Sequence, residues 1–272
     1  MRGVHNLLSR IFRRFRQLLI PFLIWTVFLF AANGTAESHV YDYVLYPNKS
    51  YWFLWALFFI VAIFNVVDFL SYKIHLKQEL AMAVTAIALM GLRFMLTDTK
   101  LWGIEYVSYY FIYYIMAYYI HKYYFLIPKE TMFILLLALV WFFLGSFYVA
   151  KGVPFIVSWI TKVSGLVLNI TYRMTTATIF IFMMFGLGQK IEIGKTKVWK
   201  YILALGYNSL GIYVVHMVLR HWLVKGIDYL IPQCPDWMLM TITFALLTVL
   251  SLWIVRLLGK WKPSATWLLG KV

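Results

Sequence analysis

Apolar residues gather along this chain into eight long runs, at positions 18–32, 51–70, 80–96, 101–120, 132–150, 166–187, 201–223 and 239–258, with short polar stretches between them. A helix needs about 20 such residues to cross the hydrocarbon core of a bilayer. Most of the runs are flanked by Trp, Tyr, Lys or Arg, which anchor span ends at the interface. The pattern predicts an all-α fold, a polytopic membrane helix bundle of about eight transmembrane helices. No linker or repeat divides it, so residues 1–272 are expected to form a single integral-membrane domain. The basic start followed by an apolar run is reminiscent of a signal peptide, but Ala31-Ala32-Asn33 makes a poor cleavage site. The first run is therefore expected to remain as a transmembrane helix.

Composition removes the soluble alternative. Of 272 residues 63% are hydrophobic and only 13% charged, where soluble domains carry about 25% charge. The net charge of +15 would suit a nucleic-acid partner, but its distribution fits membrane orientation better. Seventeen of the 25 lysines and arginines fall in the segments of one side and five in those of the other, with Arg93, Arg173 and Arg220 within or beside spans. Under the positive-inside rule both termini are cytoplasmic, no nucleic acid is expected, and the Asn33-Gly34-Thr35 sequon faces outward. Cys234 is the single cysteine, which excludes an internal disulfide or a Cys-based metal cluster, and the histidines form no ligand motif. No metal is expected.

Ionisable groups within a bilayer cost about 2.5–3.5 kcal/mol each on insertion scales, so they face cavities or partners. Arg93 and Glu105 lie near the outer ends of consecutive runs, as an ion pair or a polar site; Asp68 lies near a cytoplasmic end. Arg173 sits in the polar cluster Asn169-Ile170-Thr171-Tyr172-Arg173, which points to a wet cavity. His216 lies three residues after Tyr213, on the same helical face, and can move a proton or serve as a hydrogen-bonded packing residue. Arg10, Arg13, Arg14 and Arg16 precede the first run, where guanidinium forks bind phosphates or anchor the chain on anionic lipid. Seven tyrosines crowd the fourth run, from Tyr106 to Tyr119, as a platform for sugar rings or as an interface belt with helix packing.

Three stretches taken together resemble the integral-membrane acyltransferase 3 family, whose bacterial members move acetyl or other acyl groups onto envelope sugars. Arg13-Arg14-Phe15-Arg16-Gln17-Leu18-Leu19-Ile20-Pro21 is similar to the family's basic motif leading into a Pro-containing helix. Tyr51-Trp52-Phe53-Leu54 is similar to its aromatic helix start, and Gly206-Tyr207-Asn208-Ser209-Leu210-Gly211-Ile212-Tyr213-Val214-Val215-His216 to its late helix.

The resemblance implies a membrane-bound acyltransferase of the bacterial inner membrane. Acetyl-CoA or another acyl-CoA would be the donor, and a hydroxyl of an envelope glycan or lipid-linked sugar the acceptor. Arg13, Arg14, Arg16, Trp52, Asn208, Ser209 and Tyr213 are then expected to bind substrate, beside Arg173, with His216 as the catalytic base. Family members carry two further spans, with a histidine, ahead of the basic motif. This chain starts at that motif, which implies an N-terminally incomplete domain completed by more sequence or by a partner subunit. A non-enzymatic relative and a glycan or lipid transporter are the alternatives.

Overall fold

Helix begins well before the first apolar run, because the basic segment is itself free of Gly and Pro from Val4 to Ile20. The computed structural model describes residues 4–33, 39–96, 101–123, 130–146, 165–190, 197–230 and 235–270. Outside them lie Arg2, Gly34, Thr35, Cys234, the end of the predicted fifth run at 147–150, and Lys100, Lys129, Lys151, Lys162, Lys195 and Lys271.

Every element among the described residues is helical. Helix α1 (Val4–Arg14) passes through a π-helical turn (Phe15–Leu19) into α2 (Ile20–Asn33). The cause of the turn is Pro21, which has no N–H for the carbonyl of Gln17. The backbone widens ahead of it, and the N–H of Ile20 reaches back to Phe15. There follow α3 (Val40–Leu45), α4 (Trp52–Lys73), α5 (Gln78–Met95), α6 (Ile104–Lys122), α7 (Thr131–Ser146), α8 (Gly165–Lys190), α9 (Lys197–Tyr207), α10 (Ser209–Leu230), α11 (Asp236–Gly259) and α12 (Lys262–Trp267).

Helix stands at all eight predicted positions. Among the described residues four helices are long and apolar enough to cross a bilayer: Asn6–Ala32, Trp52–Lys73, Asn169–Gln189 and Met238–Gly259. A fifth candidate departs from the continuous helix predicted over 201–223, since the chain bends by 72° between Lys200–Tyr207 and Ser209–Arg220. At the bend the side-chain amide of Asn208 donates to the carbonyl of Ala204 at 2.8 Å, sharing it with the backbone N–H of Asn208 at 3.1 Å. Helix α7 is apolar but short, and α5 and α6 carry Glu79, Arg93, Glu105 and a row of tyrosines.

The chain divides into two compact units, 1–118 with 201–272, and 119–200. In the first, α4 packs against α1, the π turn and α5, while α10 packs on α11 and α2. Phe22, Tyr51, Leu54, Val214, Val255 and Leu269 form its principal core, all at most 3% exposed. A second core joins Ile60, Phe64 and Met82 to Val107 and Phe111. The tyrosines of α6 serve packing here: Tyr106 and Tyr110 stack on Trp52, with centroids 4.6 and 5.3 Å away, and Tyr114 and Tyr118 lie against Phe64. Arg93 reaches Glu105 through that residue's backbone carbonyl, at 3.0 Å, with its guanidinium over the ring of Tyr109.

Asp68 is buried at the far end of α4, where it accepts from the amide of Gln78 at 2.8 Å and lies 4.0 Å from the guanidinium of Arg10. Replacing Asp68 with Ala strands the Gln78 amide, and we expect a loss of about 1–3 kcal/mol in unfolding free energy, measured by thermal unfolding in detergent.

In the second unit α7 packs on α8. Trp141 meets Phe180 at 5.1 Å, and the hydroxyl of Tyr172 donates to the carbonyl of Leu144.

Candidate functional site

Three segments far apart in sequence converge in the first unit. Arg14 and Gln17 come from the π turn and the residue before it, Trp52 and Phe53 from the first turn of α4, and Tyr207 to Gly211 with Tyr213 from the bend into α10. With Leu18, Leu57, Leu269 and Gly270 they line a cavity of about 680 Å³. The widened π turn carries Arg14 and Gln17 to its wall, and Arg14 donates to the side-chain carbonyl of Gln17 at 2.8 Å. The 72° bend opens the opposite wall, where the first turn of α10 faces the same space.

Aromatic contacts hold these segments in register. The phenol of Tyr51, buried completely, donates to the carbonyl of Val214 at 2.9 Å. The hydroxyl of Tyr213 accepts from the N–H of Phe53 at 3.4 Å, and the rings of Tyr51 and Phe53 both lie edge-on to Tyr213, at 6.0 and 5.5 Å. The start of α4 is thereby pinned to the middle of α10.

The remaining wall comes from the segment after α11. Trp25 donates its indole N–H to the carbonyl of Leu268 at 2.8 Å, and Leu269 enters the core. Gly270 has a positive φ of 64° and lies so close to α2's entry that a Cβ there would stand 2.1 Å from the carbonyl oxygen of Gln17. That carbonyl is the one to which Pro21, four residues on, has no N–H to donate. A Cβ on Gly211 would likewise meet Val255 at 2.9 Å, so α10 approaches α11 at a distance only glycine permits.

Ser209, Tyr213 and His216 share one face of α10 at spacings of four and three residues. The His216 ring lies 5.6 Å from that of Tyr213, and its Nδ1 is 3.2 Å from the carbonyl of Ile212. A carbonyl only accepts, so Nδ1 donates, and in the neutral ring the lone pair is then on Nε2. His216 lines a second cavity, of about 400 Å³, which has Ser209 and Tyr213 in common with the first.

Of the residues expected from sequence, Arg14, Trp52, Asn208, Ser209 and Tyr213 line one cavity, and His216 lines the adjoining one. Arg13, which is exposed, and Arg16, half-buried, occupy the same helical segment but not the cavity lining. Arg173 is exposed on α8, in the second unit. Gln17, Phe53, Tyr207, Leu269 and Gly270 join the lining, and only the first three lie in a recognisable motif.

A family model described as an acyltransferase domain matches residues 2–257. No curated protein and no solved structure matches the chain. The three converging motifs lie within the matched range, which takes in nearly the whole sequence, and the polypeptide thus belongs to the acyltransferase 3 family of membrane acyltransferases.

Proposed function

We propose that this chain is an O-acyltransferase of the bacterial inner membrane that carries an acetyl or other acyl group from acyl-coenzyme A to a hydroxyl of an envelope sugar or polysaccharide. The observation that carries this reading is the meeting of the basic motif, the aromatic helix start and the Asn208–His216 stretch around adjoining cavities. Arg14 places a fixed positive charge where the donor's phosphates would enter, and a guanidinium binds phosphate oxygens in a fork. On this reading that wall and both termini face the cytoplasm, in keeping with the bias of basic residues.

On this reading His216 serves the transfer as its base. Nε2 takes the proton of the acceptor hydroxyl as its oxygen attacks the thioester carbonyl, and a new C–O bond forms. Ser209 and Tyr213, on the same face, are donors for the negative charge that develops on the carbonyl oxygen. Because the Tyr213 hydroxyl accepts from the N–H of Phe53, its own proton is left for this role. The C–S bond then breaks, and the imidazolium returns its proton to the departing thiolate.

Arg14 and Arg13 provide the test, since they adjoin in sequence and only the first lines the cavity. Replacing Arg14 with Ala is expected to weaken acetyl-coenzyme A binding by about 10- to 100-fold, the range for a lost charged hydrogen bond. Arg13→Ala should change it less than about threefold, as expected of an exposed cation that does not line the cavity. Titration calorimetry on purified protein measures both, and equal effects would overturn the assignment of this cavity to the donor.

A further inference from the structure

We infer that the second cavity is an acyl-chain site, and that the group this protein transfers is longer than acetyl. The inference rests on the acyltransferase reading above and names the donor's acyl class. The cavity is an open groove, bounded by Leu205, Ile212, Leu247 and Phe244, the last 71% exposed on the outer side of α11, with Tyr213 and His216 at its polar end. Its other hydroxyls are subdued: Thr248 donates to the carbonyl of Phe244 one turn back, at 2.8 Å, and Ser209 stands at the border with the first cavity. A space with so few polar partners is a poor fit for a sugar, whose every hydroxyl would need one. A saturated chain needs none.

Size argues the same way. A methylene is about the size of a water molecule, whose share of the liquid is roughly 30 Å³. About 400 Å³ is several times what the two carbons of acetyl require. Continuity fixes the occupant: Ser209 and Tyr213 line both cavities, so a thioester placed between them has its phosphates towards Arg14 and its acyl chain beside Leu247, with His216 next to the reacting carbonyl. Each further methylene buried there should tighten binding about fourfold until the space is filled.

The experiment uses the full chain in nanodiscs and hexanoyl-coenzyme A carrying a terminal diazirine, with labelled peptides mapped by mass spectrometry. Label is expected on α11 around Phe244 to Thr248, with hexanoyl-coenzyme A competing at least about tenfold better than acetyl-coenzyme A. Leu247→Trp, which fills the space, should shrink that advantage to under about threefold, and Phe244→Ala, which enlarges it, should move the optimum to longer chains. A variant that merely disturbed folding would not move the preference in opposite directions. Label spread evenly over the outer faces of the helices, or equal competition by acetyl and hexanoyl donors, overturns the inference. A diazirine phospholipid that labels the same residues and is not displaced by acyl-coenzyme A would give the site to a membrane lipid, and overturn it too. Label at α11 displaced by hexanoate but untouched by free coenzyme A would leave the chain site standing while the donor reading fails.

Discussion

Replacement of His216 by Gln is expected to lower acyl transfer by two to four orders of magnitude, the usual contribution of a positioned general base. The substitution keeps a polar side chain of similar length on α10 but removes the lone pair that the Nδ1 contact with Ile212 leaves on Nε2. Its neighbours would feel little. Tyr213 meets the imidazole only ring to ring, and the bonds that pin α4 to α10 run through Tyr51 and Phe53. The measurement is transfer of labelled acyl group to membrane glycan, with protein amount and unfolding midpoint held alongside. Activity within about threefold of the parent would make His216 a packing residue and place the base elsewhere.

The second large effect concerns Gly270. A single methyl there would sit 2.1 Å from the carbonyl oxygen of Gln17, on a backbone whose φ of 64° already disfavours any side chain. The segment must move away, and it takes two interactions with it. Withdrawing Leu269 from the core forfeits roughly 1.5–3 kcal/mol of apolar burial, and the Trp25–Leu268 hydrogen bond is worth about 1 kcal/mol. Gly270→Ala should therefore destabilise the protein by about 2.5–4 kcal/mol, read as a lower unfolding midpoint together with a shift in tryptophan emission as Trp25 is uncovered. Gly226 provides the control, because a Cβ there meets nothing within 4 Å. Gly226→Ala in α10 should be neutral or stabilising by up to about 1 kcal/mol.

Much of the architecture was legible in the sequence, because apolar runs of membrane length need no partner to declare themselves. The partnership of Tyr213 and His216 was legible for a similar reason, as a three-residue spacing fixes a shared face wherever the helix goes. The identity of the cavity-lining arginine was not. It depends on helical phase, and the π turn ahead of Pro21 inserts an extra residue into that phase, so a regular spacing cannot tell Arg14 from Arg13 and Arg16. The bend at Asn208 was hidden because one polar residue scarcely alters the hydropathy of a run of more than 20. The apolar cavity was hidden because α11 is hydrophobic on every side, so nothing in its pattern distinguishes Leu247 from residues that face lipid. Leu269 and Gly270 offered no local signal, since their roles exist only through contact with the first helix.

That last contact orders events in time. Trp25 and its partner Leu268 are separated by 243 residues of chain. A ribosome delivers amino acids one after another, at roughly 5–20 per second, so α2 must wait many seconds in the bilayer with the cavity lacking a wall. Only when α11 has been threaded and the following residues have turned back can the compartment close, which makes a competent site depend on the return of a distant segment rather than on the insertion of each span.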